Sequence, residues 1–231
     1  NTALWPHSLD RRHAEPLAWI KFLRDAWEGC DDVDQRIDAV QSWLGLAILG
    51  FGPAFPRALL LTGSGRNGKS VFIEVLEDLF PSAYRSSFTP SELTGTGNMF
   101  QYNRALLNKI LLNAAGDLSS IKGLGCQATW KRISAGDTVT GRSIYGTPFS
   151  FRPVASHIFA CNSLPRMDHD DWSEGLKRRW LVLDFPRYFS TEDSRDREEL
   201  KKELREDYPD MILWALEGAR RVFAERDFTL P

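Results

Sequence analysis

Cysteine is scarce in this chain: Cys30, Cys126 and Cys161 are odd in number, far apart and never part of a CxxC pair. That excludes a disulfide framework and a thiolate zinc site, and it fits a reducing cytoplasm. No apolar run approaches the roughly 20 residues that a membrane-spanning helix needs. Excess charge is missing too, since 29 basic residues face 31 acidic ones for a formal net charge of −2. A uniformly basic coat for nucleic acid is therefore excluded, and any DNA contact must rest on a few local residues. There is no internal repeat, no low-complexity tract, no initiator Met and no signal-peptide pattern at Asn1, so a piece excised from a larger protein is expected. What is present is ordinary globular composition, with 42% hydrophobic and 26% charged residues in 231, enough for one large domain with a helical annex.

The most informative stretch is Gly63-Ser64-Gly65-Arg66-Asn67-Gly68-Lys69-Ser70, which follows the apolar Ala58-Leu59-Leu60-Leu61 and precedes Val71-Phe72-Ile73-Glu74-Val75-Leu76. Strand, glycine-rich turn, helix is the order of a phosphate-binding loop. Gly63, Gly65 and Gly68 let backbone N–H groups curl around a phosphate chain at the positive end of a new helix. Lys69 is placed to reach the β- and γ-phosphates, and the Ser70 hydroxyl to ligate Mg²⁺. An idle glycine turn is the bland alternative, and the flanking apolar runs weigh against it. The reading is an α/β nucleoside-triphosphate site using ATP and Mg²⁺.

Before this loop, helical spacing predicts a helix from Pro16 to Glu28, through Leu17, Ile20, Phe22, Leu23 and Trp27, and a second from Asp32 to Leu49, through Ile37, Val40, Trp43, Leu44 and Ile48. Gly50, Gly52, Pro53 and Pro56 end the second helix, so an annex covering 1–55 is separated from a core covering 56–190. The phosphate-loop helix is expected to run to about Phe80. Beyond it, Pro81, Pro90, Gly95 and Gly97 predict loop plus a short strand from Arg85 to Phe88. Lys109 to Asp117 reads as a buried strand ending in an acid. A P-loop ATPase needs a carboxylate there to hold the Mg²⁺ water shell and orient the attacking water, so Asp117 is the candidate, with a helix N-cap as its bland alternative.

Gln127 to Ser134 predicts a short helix carrying Lys131 and Arg132. Thr138-Val139-Thr140 and Phe149-Ser150-Phe151 predict a hairpin whose tip offers Arg142 to a phosphate and Tyr145 to a sugar or base, or else a plain surface turn. Ser156 to Cys161 reads as a strand ending in Asn162, an amide suited to holding water or sensing a γ-phosphate. The loop Asp168-His169-Asp170-Asp171 is read as solvated rather than as a second metal site. Arg178 and Arg179 stand directly before a strand from Trp180 to Phe185, as surface charge or as fixed guanidinium groups near a phosphate. A charged helix from Thr191 to Asp207 and an apolar-faced one from Pro209 to Ala224 form a C-terminal segment covering 191–231.

The order of these landmarks resembles the superfamily 3 helicases, in the branch of primase-helicases of phages, plasmids and large DNA viruses. The pieces are Gln41-Ser42-Trp43-Leu44-Gly45, the glycine loop at 63–70, the strand to Asp117, Ser134-Ala135-Gly136-Asp137, Phe159-Ala160-Cys161-Asn162-Ser163-Leu164-Pro165, Arg178-Arg179-Trp180 and Ile212-Leu213-Trp214-Ala215-Leu216-Glu217-Gly218. The resemblance implies an AAA+-like P-loop core with an N-terminal helical oligomerisation bundle and C-terminal helices. It implies a hexameric ring that hydrolyses ATP between subunits, translocates 3′ to 5′ on single-stranded DNA and serves DNA replication. It makes Lys69 and Ser70 the Walker A residues, Asp117 the Walker B acid, Asn162 the sensor and Arg179 the finger reaching a neighbour's ATP, with Arg178 as fallback. Arg142 and Tyr145 fall on the DNA-gripping pore hairpin, near Lys131 and Arg132. An upstream primase and a downstream winged-helix region are implied for the full-length protein, so priming is not expected of this chain.

Two departures stand out: Gly116 occupies the place where many members carry a second acid, and the hairpin tip has no lysine. Two rival readings stay open on the sequence, an ATP-binding ring module without productive turnover and a P-loop kinase of a small metabolite.

Overall fold

The computed structural model describes residues 15–116, 118, 127–162, 174–190, 196–228 and 231. Two helices, α1 (Leu17–Ala26) and α2 (Val33–Leu49), lead into β1 (Ala58–Thr62) and α3 (Lys69–Leu79). Then come β2 (Arg85–Ser86), α4 (Pro90–Thr94), α5 (Asn98–Leu106), β3 (Leu112–Ala115), α6 (Gln127–Ser134), a hairpin of β4 (Val139–Arg142) and β5 (Pro148–Phe151), and β6 (Ser156–Ala160). The chain closes with α7 (Glu174–Lys177), β7 (Trp180–Asp184), α8 (Arg197–Glu206) and α9 (Tyr208–Glu225).

Five strands form one parallel sheet in the order β2-β3-β6-β1-β7. The strand leading to Asn162 therefore lies between the phosphate-loop strand and the strand heading for Asp117. Three strand ends that are distant in sequence meet at one edge as a result.

Because side chains alternate across a strand, these near-continuous apolar runs supply two cores at once. On one face Leu59, Leu61, Leu112, Ile158, Leu181 and Leu183 join residues of α1, α2, α3, α8 and α9. On the other, Ala58, Leu60, Phe159 and Trp180 meet Trp130 of α6. Burying each large side chain completely contributes roughly 1.5–3 kcal/mol, so both faces are strongly specified.

The helices before and after the sheet share the first core. α2 and α9 touch so closely that a Cβ on Gly45 would stand 1.9 Å from the Ala215 carbonyl oxygen, and one on Gly218 would stand 2.7 Å from the Gln41 backbone. Gln41 Nε2 donates to the Trp214 carbonyl at 2.8 Å. Two of the segments that carried the family resemblance are thus the two sides of one helix seam.

Several expected elements change shape. The region 81–108 holds two short helices where loop was expected. α4 opens with a capping box, in which the Glu92 N–H donates to Thr89 Oγ1 at 3.4 Å and the Thr89 N–H donates to Glu92 Oε2 at 2.8 Å. α5 begins directly after Gly97 and buries none of its residues. The strand expected from Lys109 shortens to Leu112–Ala115, because the chain turns at 107–109 with Lys109 at φ +72°. The charged C-terminal helix begins at Arg197, where Asp196 accepts from the N–H groups of Glu198 (2.9 Å) and Glu199 (3.0 Å). Among the described residues no helix is long and apolar enough to cross a membrane.

Candidate active site

The glycine loop closes the C-terminal end of β1 and opens α3. Gly68 is left-handed, with φ +90°, immediately before Lys69, and Gly63 has φ +135°. A side chain at Gly63 is barred by more than its dihedral, since its Cβ would sit 2.4 Å from Asn67 Nδ2 and 2.5 Å from the Phe185 carbonyl oxygen. Asn67 is buried and bonded at both ends: Nδ2 donates to the Phe185 carbonyl at 3.1 Å and Oδ1 accepts from Lys69 Nζ at 3.0 Å. Lys69 is also buried and folds back on the loop, donating to the carbonyls of Gly63 (2.5 Å) and Ser64 (3.3 Å). These bonds hold the ammonium against the loop, where an anion seated on the loop N–H groups would meet it.

Around the loop lies a cavity of about 780 Å³. Gly65, Lys69 and Ser70 line it from the loop, Gly116 from the end of β3, and Asn162 from beyond β6. The structure thus brings together Lys69, Ser70 and Asn162. Asp117 follows Gly116 but lies outside the described residues, as do Cys126 and the loop Asp168 to Asp171.

The far wall was not legible as site residues in the sequence. Ala18, Lys21, Phe22 and Asp25 supply it from one face of α1, Arg187 and Phe189 from the strap after β7, and Arg197, Leu200 and Glu203 from α8. Spacing at i, i+3, i+4 and i+7 put the α1 residues on one side, but nothing local says that this side meets a phosphate loop. α8 is attached to α3 by ion pairs: Glu74 with Arg197 and with Lys201 (3.2 Å), and Asp78 with Arg205 (3.5 Å). Tyr208 also donates its hydroxyl to Asp78 at 3.4 Å.

Arg178 and Arg179 stand at the opposite end of the sheet. Ala58 pairs with Trp180 at the start of β1, and Thr62 with Asp184 at its end. Five residue steps of about 3.3 Å separate Arg179 from the level of that strand end, where the loop begins, roughly 16 Å away, and Arg178 is one step further. Neither arginine lines the cavity of its own chain. Arg178 is exposed, whereas Arg179 is half-buried and donates from Nη1 to the Gly175 carbonyl at 2.5 Å. Arg57 shares this edge, and burial holds its guanidinium below the usual arginine value, with Asp227 opposing and Arg178 adding to the effect.

The expected hairpin is present, with Arg142 opposite Pro148. Tyr145 at its tip is 99% exposed and left-handed at φ +59°. Arg142 donates from Nε to the Gly146 carbonyl at 2.9 Å, so this side chain shapes the tip that carries Tyr145. Arg132 donates to the Thr138 carbonyl and braces the hairpin's root, while Lys131 lies one position earlier on α6. The root packs on α5 at a spot where a Cβ on Gly141 would come 2.7 Å from Ala105.

Behind the hairpin helix, Trp130 lies edge-on to His157 (4.9 Å) and stacks on Trp180 (5.4 Å). His157 is wholly buried, and loss of water lowers its pKa to about 3. Its Nδ1 meets Asn113 Nδ2 at 3.2 Å. Asn113 also donates to the Phe88 carbonyl and accepts from Ser86 Oγ and the Phe88 N–H, each at 2.8 Å.

Residues 61–179 match a family described as a family of unknown function, DUF5906. A curated protein of Acanthamoeba polyphaga mimivirus named "Putative helicase L207/L206" is 28% identical over 169 residues, covering 68% of this chain and 16% of that protein. The apo A form of the NrS-1 C-terminal region superposes with a TM-score of 0.65 at 13% identity, over 92% of this chain and 49% of that one. A second apo structure of that region gives 0.64 at 13%, over 95% and 54%. The chain thus spans about a sixth of the curated relative and about half of each solved chain. At such identities the solved structures speak to the fold, and the AAA+-like α/β class expected from the sequence stands. The helicase resemblance stands as well, in a relative from a large DNA virus.

Proposed function

The chain belongs to the DUF5906 family, and from that premise we propose that it is the motor of an ATP-driven DNA helicase of superfamily 3 type. The observation that carries the reading is Lys69, buried at the end of the glycine loop and lining the same cavity as Ser70 and Asn162. Parallel α/β sheets bind ligands at the carboxyl ends of their strands, where this cavity lies. Lys69 and the loop N–H groups hold the ATP phosphates, Ser70 and Asp117 hold Mg²⁺, and Asn162 positions water. Mg²⁺ supplies charge neutralisation between the phosphates.

The arginine edge supports assembly. Arg179 is too far from its own loop to touch the nucleotide there, so it acts on ATP bound by a neighbour in a ring, proposed to be hexameric. Tyr145 and Arg142 present a grip for single-stranded DNA, and replication is the process served, with a primase in the full-length protein. The test is hydrolysis and unwinding by the chain and by Lys69→Ala. The expected result is DNA-stimulated phosphate release that disappears in the variant while its circular dichroism is unchanged. Equal rates in both proteins would remove the reading.

A further inference from the structure

Resting on the nucleotide reading above, we infer that the far half of the cavity is a stacking subsite for a purine base, with Phe189 as its specificity-determining side chain. A triphosphate occupies the loop end, where backbone N–H groups and Lys69 converge. The remaining space is walled by α1, the strap after β7 and α8. Two aromatic rings converge there on the last glycine of the loop: a Cβ on Gly68 would lie 3.4 Å from Phe22 Cζ and 3.8 Å from Phe189 Cε2. An apolar shelf thus begins where the phosphate cradle ends, which is the order of groups along a nucleotide.

Both rings are fixed before any ligand arrives. Phe22 stacks on Trp19 at 5.5 Å and 22°, and Trp19 packs on Phe72 of the phosphate-loop helix at 5.3 Å. The Phe189 N–H donates to the Arg66 carbonyl at 2.8 Å, tying the ring's backbone to the loop itself. The Arg187 guanidinium lies over the Phe189 ring at 4.8 Å. Arg187 is in turn held by Glu28 at 2.6 Å and by the Asp25 carbonyl at 3.1 Å. A preorganised aromatic face costs little to use, and its stabilisation grows with the area of the ring laid on it. Purines gain more than pyrimidines, and Lys21 and Asp25 add a polar donor and a polar acceptor group to the lining.

Calorimetric titration of the intact chain with Mg²⁺ complexes of ATP, CTP and inorganic tripolyphosphate tests this. ATP is expected to bind about tenfold more tightly than CTP or tripolyphosphate, the scale of one stacked base. Phe189→Leu is expected to erase that gap and leave tripolyphosphate affinity unchanged, and Phe189→Tyr to keep it. A parental ATP-to-CTP ratio in Phe189→Leu overturns the subsite. So does equal binding of all three ligands by the parent, with the phosphate-loop reading left standing as long as Lys69→Ala abolishes that binding. Tripolyphosphate binding that survives Lys69→Ala overturns the nucleotide reading beneath it.

Discussion

Asn67 of the phosphate loop donates to the carbonyl oxygen of Phe185, 3.1 Å away and 118 residues later in the chain. Phe185 is the residue after β7, and β7 begins directly after Arg179. One strand therefore carries the loop's tether at one end and the candidate trans arginine at the other. Asn67→Ala removes this tether and one oxygen facing Lys69. The expected cost is about 1–3 kcal/mol of stability from the groups left unpaired, read by urea unfolding, with ATP affinity lowered as well. Stability and affinity equal to those of the parent would mean that the tether is incidental.

Arg179→Ala is expected to spare ATP binding and nearly silence turnover, since an arginine supplied in trans is worth roughly 10³–10⁵ in GTPase systems. Mixing Arg179→Ala with Lys69→Ala protein creates interfaces that pair an intact loop with an intact finger. Phosphate release in the mixture is expected to exceed that of either variant alone. Parental turnover by Arg179→Ala, independent of protein concentration, would refute a trans role.

At the hairpin, Tyr145→Ala is expected to weaken single-stranded DNA binding by about 1–3 kcal/mol through loss of a stacked base. Arg142→Ala is expected to lower the slope of log affinity against log salt and to disturb the tip that Arg142 holds. Fluorescence anisotropy at several salt concentrations measures both. Parental binding by both variants at every concentration would place the grip elsewhere.

The strand, glycine turn and helix were legible because their signals are local. Lys69, Ser70 and Asn162 could be named from residue type and position alone, and the parallel sheet brings them together. The far wall was not legible, because it forms where α1, the strap and α8 converge from both ends of the chain. Phe22 reads as one more apolar position on a helix, and Phe189 lies in a segment without periodicity. α5 was missed because Gly95 and Gly97 directly before it read as loop, although Met99, Tyr102 and Leu106 recur at helical spacing.

His157 gives a pH prediction. Its pKa is near 6.5 in the unfolded chain and about 3 when buried, so below 6.5 the unfolded state binds a proton that the native state does not. Its contribution is complete above pH 6.5 and is lost as pH falls toward 3, by up to about 1.4 kcal/mol per pH unit. Urea unfolding between pH 7.5 and 4.5 is expected to show this slope, and His157→Gln to flatten it. An unchanged slope in the variant would assign acid sensitivity to other groups.

The α2–α9 seam yields a packing prediction. Gly45→Ala places a methyl group 1.9 Å from a backbone oxygen that cannot swing away, so the helices must separate. The expected loss is at least about 1–3 kcal/mol of stability, as in overpacked cores. A melting temperature within a degree of the parent's would show that the seam yields.

The ion pairs joining α8 to α3 have a consequence for the handling of this protein. They are partly exposed, so each contributes at most about 1 kcal/mol and weakens as salt is added. Because α8 is a wall of the cavity, ionic strength is expected to act on the candidate nucleotide site as well as on any DNA contact. A salt titration of unwinding therefore sums two responses of separate origin. Measuring ATP affinity without DNA at each salt concentration resolves them, and a flat affinity curve would show that the wall holds by its apolar contacts alone.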